Sequence, residues 1–271
     1  MNPISFLDRG QLESVSRRAA NWEMFDDGEA RATILGGLKL HVDPRDPSLA
    51  PWLLREGYWE SWVTLAVSHR IRGGMRFVDV GANVGYYSIL AAAQGAEVLA
   101  IEPNPQLASM IGCSAADNDL FIHIACCAAS NVASAILLRV HGNDLGGASL
   151  CFGDNDKEVT REHKVWRDTL DMIVKRTWLD MRVDFVKIDA EGSEYDIWRG
   201  MRGILTQNMK VVVLAEMASD RQYDVSEWLN DAIQLGFRLQ LVNTEGKLVA
   251  TTIRELLRIP KGSLAEVWFE R

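Results

Sequence analysis

The sequence predicts a doubly wound α/β domain behind an N-terminal cap, and three observations predict it. From Arg76 onward, short apolar stretches alternate with helical ones, as in helices packed on a mostly parallel sheet. The segment Phe77 to Tyr86 reads as a strand, a glycine turn and a helix start. Two late apolar stretches, Phe237 to Val242 and Ala265 to Phe269, flank a turn at Asn243-Thr244-Glu245-Gly246 and a short helical piece, so the sheet should close on an antiparallel pair.

Residues 1–70 form the cap and residues 71–271 the main domain. In the cap, Ala32 to Leu35 and Leu38 to Val42 flank Gly36-Gly37, which suits a hairpin with a tight primed turn. Pro44, Pro47 and Pro51 punctuate the stretch after this hairpin, and Trp52, Trp59 and Trp62 are candidates to pack the cap on the sheet. The main domain starts with a buried strand, Phe77 to Gly81. An alanine-rich helix from Tyr86 to Gln94 is closed by Gly95. A strand at Glu97 to Glu102, a helix at Gln106 to Ala116 and strands at Phe121 to Ala125 and Ile136 to Val140 come next. The polar, glycine-bearing stretch His141 to Asp156 reads as a loop. Asp184 to Asp189 is again a strand, and Glu194 to Leu205 a helix, with Ser193 and Asp196 spaced as a capping box. Lys210 to Glu216 is the most apolar strand, and the helix after it carries Val225, Trp228, Leu229 and Ala232 on one face.

The chain has 271 residues, enough for a sizeable core. With Lys+Arg 29 against Asp+Glu 37, a net charge of −8 and no basic block, it lacks the surface that holds nucleic acid through phosphates. A small molecule is the expected partner; the sequence leaves the oligomeric state open. No apolar run is long enough to span a bilayer, and Met1 to Asn21 lacks the apolar stretch of a secretory signal, so a cytoplasmic location is expected. The cysteines Cys113, Cys126, Cys127 and Cys151 form no C-x-x-C pair and read as buried, reduced thiols.

Ligands of open α/β sheets collect at the carboxyl ends of the strands. A dinucleotide fingerprint would need glycine at 81, 83 and 86, but Asn83 and Tyr86 stand at two of these positions. The turn suits an adenosyl group without pyrophosphate. Glu102 ends the next strand, where a carboxylate can accept both ribose hydroxyls. Gly81 and Gly85 are equally at home in a plain strand-to-helix turn, and Glu102 at a helix start. Asp79, in a buried strand, needs a partner. A second cluster follows the strand at Val186: Asp189 and Glu191 project beyond it, and Glu216 ends the adjacent strand. These acids can orient or deprotonate an acceptor hydroxyl, hold a divalent cation such as Mg²⁺, or stabilise a turn. His41 and His123 read as core or edge residues, His163 as a solvated one, and His141 borders the polar loop.

Phe77-Val78-Asp79-Val80-Gly81-Ala82-Asn83-Val84-Gly85, then Ile101-Glu102-Pro103-Asn104, then Val186-Lys187-Ile188-Asp189-Ala190-Glu191-Gly192, with Gly57-Tyr58-Trp59-Glu60 upstream, resemble the FkbM family of S-adenosylmethionine-dependent methyltransferases. The resemblance runs from about residue 36 to the C-terminus. It implies a class I, seven-stranded, Rossmann-like sheet with helices on both faces, and methyl transfer to a hydroxyl of a sugar or natural product. It also implies that Asp79, Gly81, Asn83 and Gly85 surround the methionine part, that Glu102 holds the ribose, and that Asn118 and Ala128 border the adenine. Glu60 matches an acidic position grouped with the cofactor site, and Asp189 and Glu191 match a K-I-D-x-E-G motif facing the acceptor. Ala190 and Ser193 depart slightly from the family pattern. No N-P-P-Y element follows Val186 and no Pro-Cys pair is present, so oxygen is favoured over a nucleobase. The expected chemistry is in-line displacement under a closing loop at 141–156, with positioning as its main source of rate. The rivals are a nucleotide-dependent oxidoreductase and a non-catalytic adenosyl-binding module.

Overall fold

The computed structural model describes residues 4, 7–141, 144–149, 159–218, 221 and 223–271. The cap opens with α1 (Arg9–Ala19), started by a capping box between Asp8 and Gln11. A three-stranded antiparallel sheet comes next: β1 (Trp22–Met24), β2 (Ala30–Ile34) and β3 (Leu38–Val42). The expected hairpin joins β2 to β3, but the left-handed positions fall on Leu35 (φ 49°) and Gly36 (φ 81°), one residue earlier than the glycine pair. Two helices, α2 (Ala50–Glu56) and α3 (Ser61–Arg70), complete the cap.

The main domain runs β4 (Arg76–Val80), α4 (Tyr86–Ala93), β5 (Glu97–Ile101), α5 (Pro105–Asp117), β6 (Ile122–Ala125), β7 (Ala128–Ser130), β8 (Ser134–His141), β9 (Asp144–Ser149), β10 (Val159–Thr169) and α6 (Leu170–Trp178). Then come β11 (Phe185–Ile188), α7 (Glu194–Gly200), α8 (Arg202–Gln207), β12 (Val212–Ala218), α9 (Val225–Gln234), β13 (Arg238–Val242), β14 (Leu248–Ala250), α10 (Ile253–Leu256) and β15 (Leu264–Glu270). The large sheet has the order β14-β13-β15-β12-β11-β4-β5-β6. The strands from β6 to β12 are parallel, and β15 enters antiparallel between β12 and β13. Apart from the short β14, this is the seven-stranded class I arrangement.

Alternation along the strands divides the core. Phe77, Phe185, Val212, Leu214 and Trp268 face the cap and α4; Val78, Val186, Ile188, Val213 and Ala215 face α7 and α9. Cap residues Leu12, Ile34, Leu40 and Leu53 are buried in the same cluster as Phe77 and Phe185, so the cap shares the core of the sheet. In α9, the buried residues are the four that the helical spacing selects: Val225, Trp228, Leu229 and Ala232.

The structure differs from the sequence-based reading in four places. Part of the expected loop 141–156 is strand: Asp144–Ser149 forms β9, while 142–143 and 150–156 lie outside the described residues. With β7, β8 and β10 it builds a second, four-stranded sheet. The long β8–β10 ladder carries it, and exposed Arg161, Glu162 and Lys164 conceal β10 from any apolar pattern. The helix expected at 194–205 breaks at Met201 into α7 and α8, and the Asp171 carboxylate caps α8 by accepting from the N–H groups of Gly203 and Ile204 (2.7 and 2.9 Å). Ser193 makes no capping bond through its side chain. Cys113 and Cys126 are unpaired but exposed rather than buried. Among the described residues, no helix is long and apolar enough to cross a membrane.

Candidate cofactor and acceptor site

A cavity of about 280 Å³ opens at the carboxyl ends of β4, β5, β11 and β12, roofed from the cap by Ser48, Leu49, Trp59 and Glu60. It brings together Glu60, Gly81, Asn83, Glu102, Ala128, Asp189, Glu191 and Glu216.

One end is built by the turn after β4. Gly81 (φ 74°) donates its N–H to the Ile101 carbonyl (3.0 Å) and lies so close to β11 that a Cβ would sit 1.7 Å from the Asp189 carbonyl oxygen. Asn83, at φ 52°, turns its own N–H onto Glu102 Oε2 (2.9 Å), while the Asn104 N–H reaches Oε1 (2.8 Å). Two backbone donors thus fix the carboxylate. Burial still pushes the Glu102 carboxyl up to about 7, against the effect of those donors. The Asn83 Oδ1 is buried without a partner, an acceptor open to a ligand donor. Ile101, Pro103, Cys127, Ala128, Ala129 and Leu138 give this end its apolar walls.

Three residues of the expected cofactor set lie outside the cavity wall. Asp79 is 1% exposed; its Oδ2 accepts the Ser88 hydroxyl (2.7 Å), and it pairs in register with Lys187. Burial raises its carboxyl, and Lys187 opposes that rise. Gly85 (φ 88°) starts α4, and its missing side chain leaves room for Ile111, 2.9 Å from where a Cβ would stand. Asn118 is not brought to the cavity. It follows the thirteen-residue α5, whose start lies at the cavity, about 20 Å along the axis at 1.5 Å per residue. There its amide accepts from Lys39 N (2.9 Å) and donates to the Lys39 and Ser114 carbonyls (2.7 and 2.6 Å), pinning β3 to α5. Asn118→Ala is therefore expected to lower stability by about 1–3 kcal/mol in urea unfolding, with cofactor affinity unchanged. A loss of affinity without a loss of stability would contradict this structural role.

The other end of the cavity is acidic. Lys187 is 3% exposed and donates to Asp189 Oδ2 (3.0 Å), with its ammonium 4.7 Å from the Tyr87 ring centroid. Burial alone would lower this ammonium, but Asp189, Asp79, Glu266 and Glu60 together raise it above a free lysine. Glu60 sits left-handed (φ 36°) at the start of α3 and accepts the Tyr87 hydroxyl (3.2 Å); burial raises its carboxyl, and Lys187 opposes the rise. Such strain in a non-glycine residue gathers at functional sites. Glu191, also left-handed (φ 48°), lies 3.4 Å from Arg221, which binds Glu216 Oε2 at 2.9 Å. Burial, with Asp189 and Glu191 nearby, pushes Glu216 up to about 8. Glu194 accepts from the N–H groups of Ala190 and Gly192 (3.2 and 2.9 Å) and so shapes the turn.

The structure does not support the metal reading of Asp189, Glu191 and Glu216. Among the described residues, no three His, Cys, Asp or Glu side chains converge as a ligand set. The cations these acids meet are side chains: Lys187 for Asp189, and Arg221 for Glu191 and Glu216. Sequence reasoning missed Tyr87 and Arg221, which carry no motif signal. It quoted Lys187 without assigning it a role, although a lysine within Val186-Lys187-Ile188 is itself a signal, since a buried charge requires a partner.

No curated protein matches the chain. Among solved structures, it resembles wild-type Trm5b from Pyrococcus abyssi (11% identity, 93% of this chain and 62% of that one, TM-score 0.49). It also resembles TYW2 from P. horikoshii in complex with MeSAdo (11% identity, 90% and 71%, TM-score 0.45) and precorrin-6y C5,15-methyltransferase from Geobacter metallireducens GS-15 (10%, 81% and 92%, TM-score 0.44). The methyltransferase FkbM domain matches residues 79–239, from the glycine turn through the acidic cluster and into β13. With more than half of its length matched and its sheet in the class I order, the chain belongs to the FkbM family of S-adenosylmethionine-dependent methyltransferases.

Proposed function

We propose that the protein is an O-methyltransferase that transfers the methyl group of S-adenosylmethionine to a hydroxyl of a small molecule or sugar. The observation that carries this reading is the single cavity joining a fixed carboxylate, Glu102, to an acidic wall at Asp189 and Glu191. S-adenosylmethionine supplies an electrophilic methyl carbon on a sulfonium. Glu102 and Asn83 fit its ribose and polar end, and the apolar wall at Ala128 fits its adenine. Asp189 orients the acceptor hydroxyl and takes its proton, with Lys187 fixing the carboxylate. Glu191 borders the same space. The chain's main contribution is to hold the acceptor in place and exclude water from it. A soluble, cytoplasmic enzyme without a nucleic-acid partner is in keeping with the acidic composition and short apolar runs.

The test is calorimetric titration with S-adenosylhomocysteine and, in parallel, NAD. Wild type is expected to bind the first and not the second, with Glu102→Ala losing most of the affinity. NAD binding would support an oxidoreductase instead. Binding should also depend on pH. A ribose hydroxyl donates to the ionised carboxylate, and the free protein holds a proton on Glu102 below about pH 7. Affinity should therefore fall as pH drops below about 7, by at most about tenfold per unit. The slope should flatten in Glu102→Gln; an equal slope in the variant would remove Glu102 from the explanation.

A further inference from the structure

The residues that face the acceptor stand on a turn that is held from behind. Asp189, Ala190, Glu191 and Ser193 line the cavity, and within this stretch Glu191 (φ 48°) and Gly192 (φ 100°) are both at positive φ. Inside the turn, the Ser193 N–H donates to the Ala190 carbonyl (3.1 Å). A strained non-glycine backbone persists only where its surroundings over-determine it. Glu194 supplies that constraint. It is 0% exposed, and its Oε1 gathers the N–H groups of Ala190 and Gly192 from either side of Glu191 (3.2 and 2.9 Å).

The turn is therefore only as well placed as the Glu194 carboxylate. Its second oxygen, Oε2, is buried with no hydrogen bond, and the Tyr223 hydroxyl beside it is buried with none either. One is an acceptor without a donor and the other a donor without an acceptor, so joining them removes both deficits. Burial and the neighbouring Glu194 raise the hydroxyl above a free tyrosine, which keeps it a proton donor. Arg221 adds positive charge nearby, but its two Nη groups are engaged with Glu216 and Glu191 (2.9 and 3.4 Å). Packing does not account for the hydroxyl. The Tyr223 ring meets Tyr195 and Trp228 (centroids 6.2 and 5.7 Å apart), contacts that a phenylalanine would make equally well.

Resting on the methyl-transfer reading, we propose that Tyr223 is a positioning residue of the acceptor end: in the cofactor-loaded enzyme its hydroxyl donates to Glu194 Oε2, and Glu194 in turn fixes the backbone that presents Asp189 and Glu191. Hydrogen bonds that serve a site are often long in the free enzyme and tighten once the site is filled. Tyr223 and Glu194 both stand outside the cavity wall, so they act through the turn and touch neither cofactor nor acceptor. The contacts run from the segment before α9, through the first residue of α7, to the end of β11.

The experiment compares wild type, Tyr223→Phe, Glu194→Gln and the double variant as full chains saturated with S-adenosylhomocysteine. Hydrogen exchange of single amides, followed by NMR, reads the turn directly. In Tyr223→Phe the Ala190 and Gly192 amides should exchange at least about tenfold faster than in wild type, the weight of one hydrogen bond to a charged group. Val186 and Val213 in the strands behind should keep their rates, and S-adenosylhomocysteine affinity should be unchanged. Glu194→Gln keeps one oxygen for the two amides but turns a donor toward Tyr223, so adding Tyr223→Phe to it should change nothing further. Where Glu194→Gln does not fold, Tyr223→Phe decides alone. Glucose, glycerol and phenol are assayed as acceptors; on any that wild type methylates, kcat and kcat/KM should fall together in Tyr223→Phe, by about tenfold. The exchange result needs no acceptor. Unchanged exchange at Ala190 and Gly192, faster exchange along β11 and β12 as well as in the turn, or undiminished turnover overturns the inference. If wild type binds S-adenosylhomocysteine and the turn ignores Tyr223→Phe, only the positioning role is wrong; if it does not bind, the methyl-transfer reading falls first and the inference falls with it.

Discussion

Gly81→Ala is expected to abolish S-adenosylhomocysteine binding and to lower stability by more than about 3 kcal/mol. The left-handed backbone costs an L-residue about 1–2 kcal/mol, and overpacking commonly adds about 1–3 more. Here the added carbon would stand 1.7 Å from the Asp189 carbonyl oxygen, which is backbone and cannot swing aside as a side chain can. Relief requires β4 and β11 to part at their carboxyl ends, where Gly81, Asn83 and Asp189 meet in one cavity. Urea unfolding followed by circular dichroism, with calorimetry on the folded fraction, checks this. An unfolding midpoint within error of wild type would show that the close approach is not required.

Asp189→Asn is expected to lower kcat by about 10²- to 10⁴-fold on any hydroxyl acceptor that wild type methylates, with S-adenosylhomocysteine affinity changed less than about threefold. Asparagine keeps the shape and one acceptor oxygen for Lys187, so the geometry of the turn survives while the proton acceptor is lost. This outcome separates chemistry from scaffolding. Were Asp189 only a turn stabiliser, the variant would lose stability and keep its rate. A non-catalytic adenosyl-binding module would show no turnover with either form. Release of S-adenosylhomocysteine in steady state, together with a melting curve, reads both quantities.

The parts of the fold legible in the sequence were those with an apolar period. Val78, Val80, Val186, Ile188 and the run from Val212 to Ala215 announce buried parallel strands because both faces of that sheet are covered. The second sheet was legible only at β8, within Ile136 to Val140: β9 carries two glycines, and in β10 the buried Val165 is flanked by the charged Arg161, Glu162 and Lys164, which leaves no apolar period. At the site, the motif residues Gly81, Asn83, Glu102, Asp189 and Glu191 fall in one cavity because each follows a strand of the same sheet end. Arg221 and Tyr87 were hidden because pairing across elements leaves no local spacing. Asn118 shows the converse: a position that matches a pattern has its hydrogen-bonding capacity taken up by Lys39 of the cap and Ser114 of its own helix.

The placement of β15 also sets the order in which the molecule can be assembled. Residues 264–270 lie between β12 and β13, with hydrogen bonds to both. A chain growing from its N-terminus can pair β4, β5, β6, β11 and β12 as they emerge. It then holds an open strand edge along Val213 to Ala218 through the whole synthesis of α9, β13, β14 and α10. β13 and β14 meanwhile have only each other, and an isolated two-stranded ribbon is marginal in water. β15 thus joins two parts of the sheet made earlier, and a nascent chain stalled before Leu264 presents an apolar edge capable of pairing with another copy.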